Sequence, residues 1–178
     1  MMTPTSTVQL LKHPGPVAST RRDVMVGRNQ KSYRIALRPG ATLYDCVAGA
    51  MASLNLRAAA LNIEHATFSR ISYFLITASP DVEPVAHYTT ALQLEEPAIL
   101  VGAGATVGTN DRGDLAIHCH GLVVTGSGNL VGGHFLTDEC VIADDGAAYL
   151  SALGYMDLVI GVDPEIGTPV FQPRYCEA

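Results

Sequence analysis

The stretch Gly113–Ile142, GDLAIHCHGLVVTGSGNLVGGHFLTDECVI, constrains this chain more than any other. Small and apolar residues alternate from Leu115 to Val124. A Gly126-Ser127-Gly128 turn follows, and a second short apolar run covers Val131 to Leu136. That pattern predicts a β-hairpin. Three of the chain's six histidines lie in it: His118, His120 and His134. Side chains two apart on a strand share a face, so His118 and His120 point the same way. If the three turn residues form the loop, Thr125 faces Asn129 and His120 stands opposite His134. Cβ atoms of directly opposed residues lie about 4.5–5.5 Å apart. All three imidazoles then share one face. A slip of one residue would turn His134 to the other side.

Three converging imidazoles suit a metal. Zn²⁺ takes neutral imidazole nitrogens at about 2.0–2.1 Å, and three protein ligands leave a fourth position open. His118, His120 and His134 are therefore the candidate ligands for Zn²⁺ or another divalent transition metal. The rival reading is that they hydrogen-bond locally and bind nothing. Cys119 lies between the first two and should face the core, as should Cys140. Glu64-His65 either adds a fourth polar group or ends a strand. Asp138 and Glu139 read as solvated turn residues; beside a metal, either could serve as a general base. No residue is assigned a catalytic role. A cupin also carries His-x-His on a strand, but expects a Glu where Val124 and Thr125 stand.

At 178 residues, 48% hydrophobic and 16% charged, the chain is expected to form one compact domain. No run approaches the roughly 18 apolar residues that cross a bilayer. The N-terminus lacks a basic segment followed by a long apolar core, so no secretory signal is expected. The four cysteines show no C-x-x-C pairing, which points to free thiols in a reducing cytoplasm. Net charge is −6, but seven of the eleven Lys and Arg residues fall in the first 38 positions, opposed only by Asp23. Residues 1–30 therefore read as a basic N-terminal arm, which is either solvated or in contact with an acidic or phosphate-bearing partner. The acidic remainder, residues 31–178, suits a DNA backbone poorly.

Ser32–Leu37 reads as the first strand, stopped by Arg38-Pro39-Gly40. Thr42 can cap a helix from Leu43 to Leu56 whose stripe is Leu43, Val47, Ala50 and Leu54. Strand patterns follow at Ala58–Ile63, Ser69–Thr77, Ala98–Val107, Leu115–Val124, Asn129–Phe135, Cys140–Asp144 and Met156–Val162. Ala147–Leu153 fits a strand or a helical turn. One helix followed by many closely linked strands predicts an α+β fold with a mainly antiparallel sheet. Gly102-Ala103-Gly104 does not continue into a dinucleotide fingerprint, and no P-loop or G-x-S-x-G elbow occurs.

The residues Ile117-His118-Cys119-His120, Gly126-Ser127-Gly128, Val131-Gly132-Gly133-His134-Phe135-Leu136 and Cys140-Val141 together resemble the hairpin of the plants-and-prokaryotes-conserved (PPC) domain. Weaker agreement extends over Lys31 to Val162. The resemblance implies a central antiparallel sheet with one long helix packed on it. It also implies the homotrimer usual among stand-alone bacterial members, and DNA as a partner by analogy with plant regulators. The Arg-Gly-Arg-Pro element of those regulators is absent. Asn62-Ile63-Glu64-His65-Ala66 stands where the family commonly carries Gly-x-Gly, which would bring His65 toward the cluster. Two function classes stay open: a trimeric regulatory module that binds DNA, and a metal-dependent enzyme or small-molecule-binding protein built on the histidines.

Overall fold

The computed structural model describes residues 12–17, 24–27, 31–78 and 83–176. Arg21, Arg22 and Arg28 of the basic arm lie outside the described residues. The elements in chain order are β1 (Ser32–Leu37), α1 (Leu43–Ser53), β2 (Ala59–His65), β3 (Thr67–Phe74), β4 (Ile76–Ala78), β5 (Ala86–Tyr88) and β6 (Leu92–Leu94). They continue with β7 (Ala98–Thr109), β8 (Leu115–Thr125), β9 (Leu130–Phe135), β10 (Val141–Ile142), β11 (Gly146–Ala152), β12 (Met156–Val162) and β13 (Pro169–Tyr175). Among the described residues this is the expected α+β architecture: one helix and a mainly antiparallel sheet.

The sheet runs β1-β11-β2-β7-β8-β9-β3-β10. β3 also pairs with the start of β7 through Thr67↔Ile99 and Phe68↔Ala98, while its far end meets β9 through Tyr73↔Phe135 and Phe74↔His134. The sheet therefore curls until β3 touches both β7 and β9. Inside the curl, Phe68 and Phe135 meet edge to face at 6.2 Å, joined by the buried Ile71, Val123 and Cys119.

Local chemistry accounts for the helix. The Thr42 side chain accepts from the Asp45 backbone N–H at 3.0 Å, which caps the first turn. Of the expected stripe, Leu43 and Val47 are buried and Ala50 packs half-buried against the core; Met51 joins them, and Leu54 lies past the helix as its C-cap. The helix stops at Ser53, short of the expected Leu56, because Asn55 turns to φ 53°. Ala147–Leu153 resolves as strand: β11 sits between β1 and β2, paired on both edges. The expected Ser69–Thr77 strand divides at Leu75, since β4 leaves β3 to pair with β5 in a separate small sheet. The Cys140–Asp144 strand shrinks to two residues.

Two glycines let the curl close. A Cβ on Gly133 would stand 2.2 Å from the Phe74 carbonyl oxygen, and one on Gly132 would stand 2.1 Å from that of Gly121. Both positions need a bare backbone, because a neighbouring main chain occupies the space. The Gly-Gly before His134 is thus what admits β9 between β8 and the end of β3.

Candidate metal centre

The hairpin forms in the expected register. The Thr125 N–H donates to the Asn129 carbonyl at 2.9 Å, Gly128 takes φ +85°, and His120 pairs directly with His134. Gly104 flanks His120 on the other side. The buried positions of β8 are Cys119, Val123 and Thr125, which leaves His118 and His120 on the opposite, exposed face. Cys119 and Cys140 are fully buried, and burial pushes both thiols up to about 12. Neither joins the histidines.

The three imidazoles converge. One ligand-capable atom from each of His118, His120 and His134 lies within 4.8 Å of the others. The Nε2 atoms of His118 and His120 are 3.1 Å apart. Nitrogens held tetrahedrally about one zinc ion stand roughly 3.3–3.4 Å from one another, from the bond length alone. The pair is close to that spacing already.

One element that sequence reading missed, β5, supports His134. The Tyr88 hydroxyl lies 3.1 Å from His134 Nδ1, and the Tyr88 ring stacks on Phe74 at 5.2 Å. Tyr88 ends β5, and the Thr89 N–H donates to the Leu75 carbonyl at 2.9 Å, tying that strand to the end of β3. A partner on one ring nitrogen fixes tautomer and orientation, leaving the other nitrogen for a ligand. Burial raises the Tyr88 pKa, keeping the hydroxyl protonated near neutrality. The three-residue strands β4 and β5 are too short to leave a periodic signal, so nothing in the sequence marked Tyr88.

Other expected contributors lie elsewhere. Asp138 and Glu139 do not join the cluster, and the Glu139 carboxylate accepts from Gln93 Nε2 at 3.4 Å. His65 also stands outside the cluster: it is exposed at the end of β2, beyond the buried Ala59, Leu61 and Ile63 and across a register shift from Ile63. The outer-face residue near the histidines from that strand is Asn62, which lines an open hollow with His120, Gly104 and Gly132. Its amide donates to Glu64 at 2.8 Å.

Burial, and then the positive charges that His118 and His120 would carry, lower the His134 pKa to about 4. His118 is lowered too, by burial and then by His120. Both imidazoles are therefore neutral at pH 7, the form a metal needs. The His134 shift also has a stability consequence. Its folded pKa lies below the ordinary 6.5, so the unfolded chain binds the proton more readily between pH 6.5 and 4. The associated stability is fully present above pH 6.5 and is lost as pH falls toward 4. Discounted for a half-buried ring, the loss is about 1–2 kcal/mol. Thermal melts of chelator-treated protein between pH 7 and pH 4 should show it, and His134→Gln should flatten the profile.

No family model and no curated protein matches this sequence. Solved structures do match its fold. A metal-containing protein of Archaeoglobus fulgidus superimposes with a TM-score of 0.70 at 15% identity, over 85% of this chain and 99% of its own. A plant- and prokaryote-conserved protein of Pyrococcus horikoshii gives 0.63 at 15% identity, over 80% and 91%. A candidate DNA-binding protein of Ralstonia eutropha gives 0.62 at 18% identity, over 79% and 90%. Agreement over nearly the full length of each neighbour shows that the chain shares the fold of the PPC protein.

Proposed function

We propose that His118, His120 and His134 form a metal site, with zinc as its ion, and that the protein binds a small molecule there. The observation that carries this is the convergence of three imidazole nitrogens within 4.8 Å on two adjacent strands. Three features support it: two of the rings are neutral at pH 7, one nitrogen pair already stands near ligand spacing, and a hydroxyl orients the third ring. The metal-containing neighbour of the same fold adds support. A bound zinc ion would supply Lewis acidity at a fourth position left open by the protein. Elemental analysis of protein purified without chelator tests the proposal. About one zinc per chain is the expected result, and a metal-free protein that takes up no zinc on addition would end it.

The chain is proposed to act as a homotrimer, as the PPC resemblance implies. The outer face of the sheet supports a second copy covering it. Ile99, Val124 and Leu130 are cross-strand neighbours in one row, exposed by 64%, 38% and 62%, and Val101 and Leu122 extend the patch. Contiguous apolar surface of this kind marks interaction sites. The row runs on into the histidines, so the metal site borders that face. Residues 31–178 are proposed as one PPC-like domain, preceded by the arm of residues 1–30. No helix among the described residues is long and apolar enough to cross a membrane. The four free cysteines support a cytoplasmic setting.

A DNA-binding regulatory role is the second reading, favoured by the fold shared with the Ralstonia protein. Fold likeness is a weak warrant for function, and the net charge of −6 opposes it. Fluorescence anisotropy with duplex DNA at low and high salt decides the point. Binding that weakens steeply with salt is expected of a DNA-binding protein. No binding at low salt excludes this reading.

A further inference from the structure

Beside the histidines lies a cleft of about 700 Å³. Ile76 of β4, Ile160 of β12 and Phe171 of β13 contribute to its walls, and Ile117 of β8 lines it from the sheet. His118 and His134 belong to the same lining. The walls are built on paired backbone. β4 and β5 share three residue pairs, β12 and β13 share seven, and Val159 joins β12 to Thr109 of β7. The cleft's volume falls within the roughly 300–1,000 Å³ of small-molecule sites.

The composition of the lining restricts the ligand. Among the described residues, no Asp, Glu, Lys or Arg lines the cleft. A nucleotide or sugar phosphate would bring several negative charges against a lining whose one strong counter-charge would be the metal at His118 and His134, leaving the others unpaired at a cost, whereas a single anionic end group can be met there. An aliphatic or aromatic body is favoured instead, since most lining side chains are apolar. The polar groups able to meet one end of such a molecule are the imidazoles of His118, His134 and His87 and the Tyr88 hydroxyl, with Thr106 and Thr168 in the same lining; of these, His118 and His134 belong to the proposed metal site.

We infer that this cleft binds small molecules with an apolar body and a single oxygen-bearing end group, such as an aryl-alkyl carboxylate, with the end group at His118 and His134. The placement of the end group rests on the metal site proposed above; the preference for an apolar body does not. Because the cleft adjoins the imidazoles, a ligand of this class would reach the open position with its oxygen while its body stays among Ile76, Ile117, Ile160 and Phe171.

Calorimetric titration of the full-length protein tests both halves. The probes are 4-phenylbutyrate and acetate, which share a carboxylate and differ in the apolar body. Each is added to zinc-loaded protein and to chelator-treated protein, with zinc content measured on the same samples. In both forms phenylbutyrate should bind tighter than acetate, on the order of 100-fold from buried apolar surface. Zinc should strengthen phenylbutyrate binding further, by about tenfold or more, as a charge-assisted contact does. Ile76→Asp, at an exposed position of β4, should weaken phenylbutyrate binding about tenfold with zinc content unchanged. Val170→Asp, at another lining position on β13, serves as a second variant should the first misfold. Equal binding of phenylbutyrate and acetate in both forms overturns the cleft, including the case in which a second copy or the arm fills it. A preference that persists without any zinc effect overturns only the end-group assignment. Protein that takes up no zinc, yet still prefers phenylbutyrate, removes the metal reading and leaves the apolar site standing.

Discussion

His120→Ala should abolish tight zinc binding and leave the fold as it is. His120 is exposed, and among the described residues its side chain pairs with His118 Nε2 at 3.1 Å. Its neighbours across the ladder are Gly104 on one side and His134 on the other, so truncation opens no cavity in the core. Stability of the metal-free protein should therefore change by no more than about 0.5 kcal/mol. Zinc affinity should fall by more than about 100-fold, since removing a ligand exceeds the loss seen when a ligand's supporting partner is removed. Competition against a chromogenic chelator measures the affinity, and a melting curve without metal measures the fold. Unchanged zinc affinity in a folded His120→Ala protein would place the metal elsewhere.

Gly133→Ala should destabilise the protein by about 2–4 kcal/mol, an overpacking cost that the neighbours cannot relieve cheaply. The added methyl would stand 2.2 Å from the Phe74 carbonyl oxygen and 3.1 Å from Tyr73 Cδ2. The first contact is with backbone, so β3 must move away from β9. That movement strains the Tyr73↔Phe135 and Phe74↔His134 pairs and loosens Phe135, which is 1% exposed. For a chain of this size the loss corresponds to a melting temperature lower by roughly 5–15 °C. Zinc affinity should fall with it, because the same movement displaces His134 from Tyr88. Gly104→Ala is the control. Its Cβ would meet nothing closer than 4.0 Å, so stability should stay within about 0.5 kcal/mol. Equal melting temperatures for the two variants would show that β9 does not need a bare backbone at Gly133.

The hairpin was legible because everything that fixes it is local. Alternation along Leu115–Val124 sets which side chains share a face, and the Gly126-Ser127-Gly128 turn sets which residues oppose. Those two facts are enough to pair His120 with His134 and to turn Cys119 inward. The start of α1 was legible for the same reason, since Thr42 caps it through a bond three residues away. Its end was not, because the stop depends on the left-handed turn at Asn55 and on which stripe the sheet covers. β13 gave no strand pattern because Pro169 and Pro173 lie within it. It tolerates them as an edge strand whose partner is β12.

The sequence by itself determined the α+β class, the hairpin, its register and the shared face of three histidines, because strand parity and turn length act over a few residues. Only the tertiary structure decided what surrounds those histidines. Tyr88 reaches His134 across 46 positions of chain, and the cleft needs β4–β5, β12–β13 and the β7–β8 face together. Those contacts exist because the sheet curls until β3 meets β9, and that closure rests on backbone approaching backbone at Gly132 and Gly133. A short-range pattern marks which residues can face one another, whereas the curvature of a sheet depends on all its strands at once.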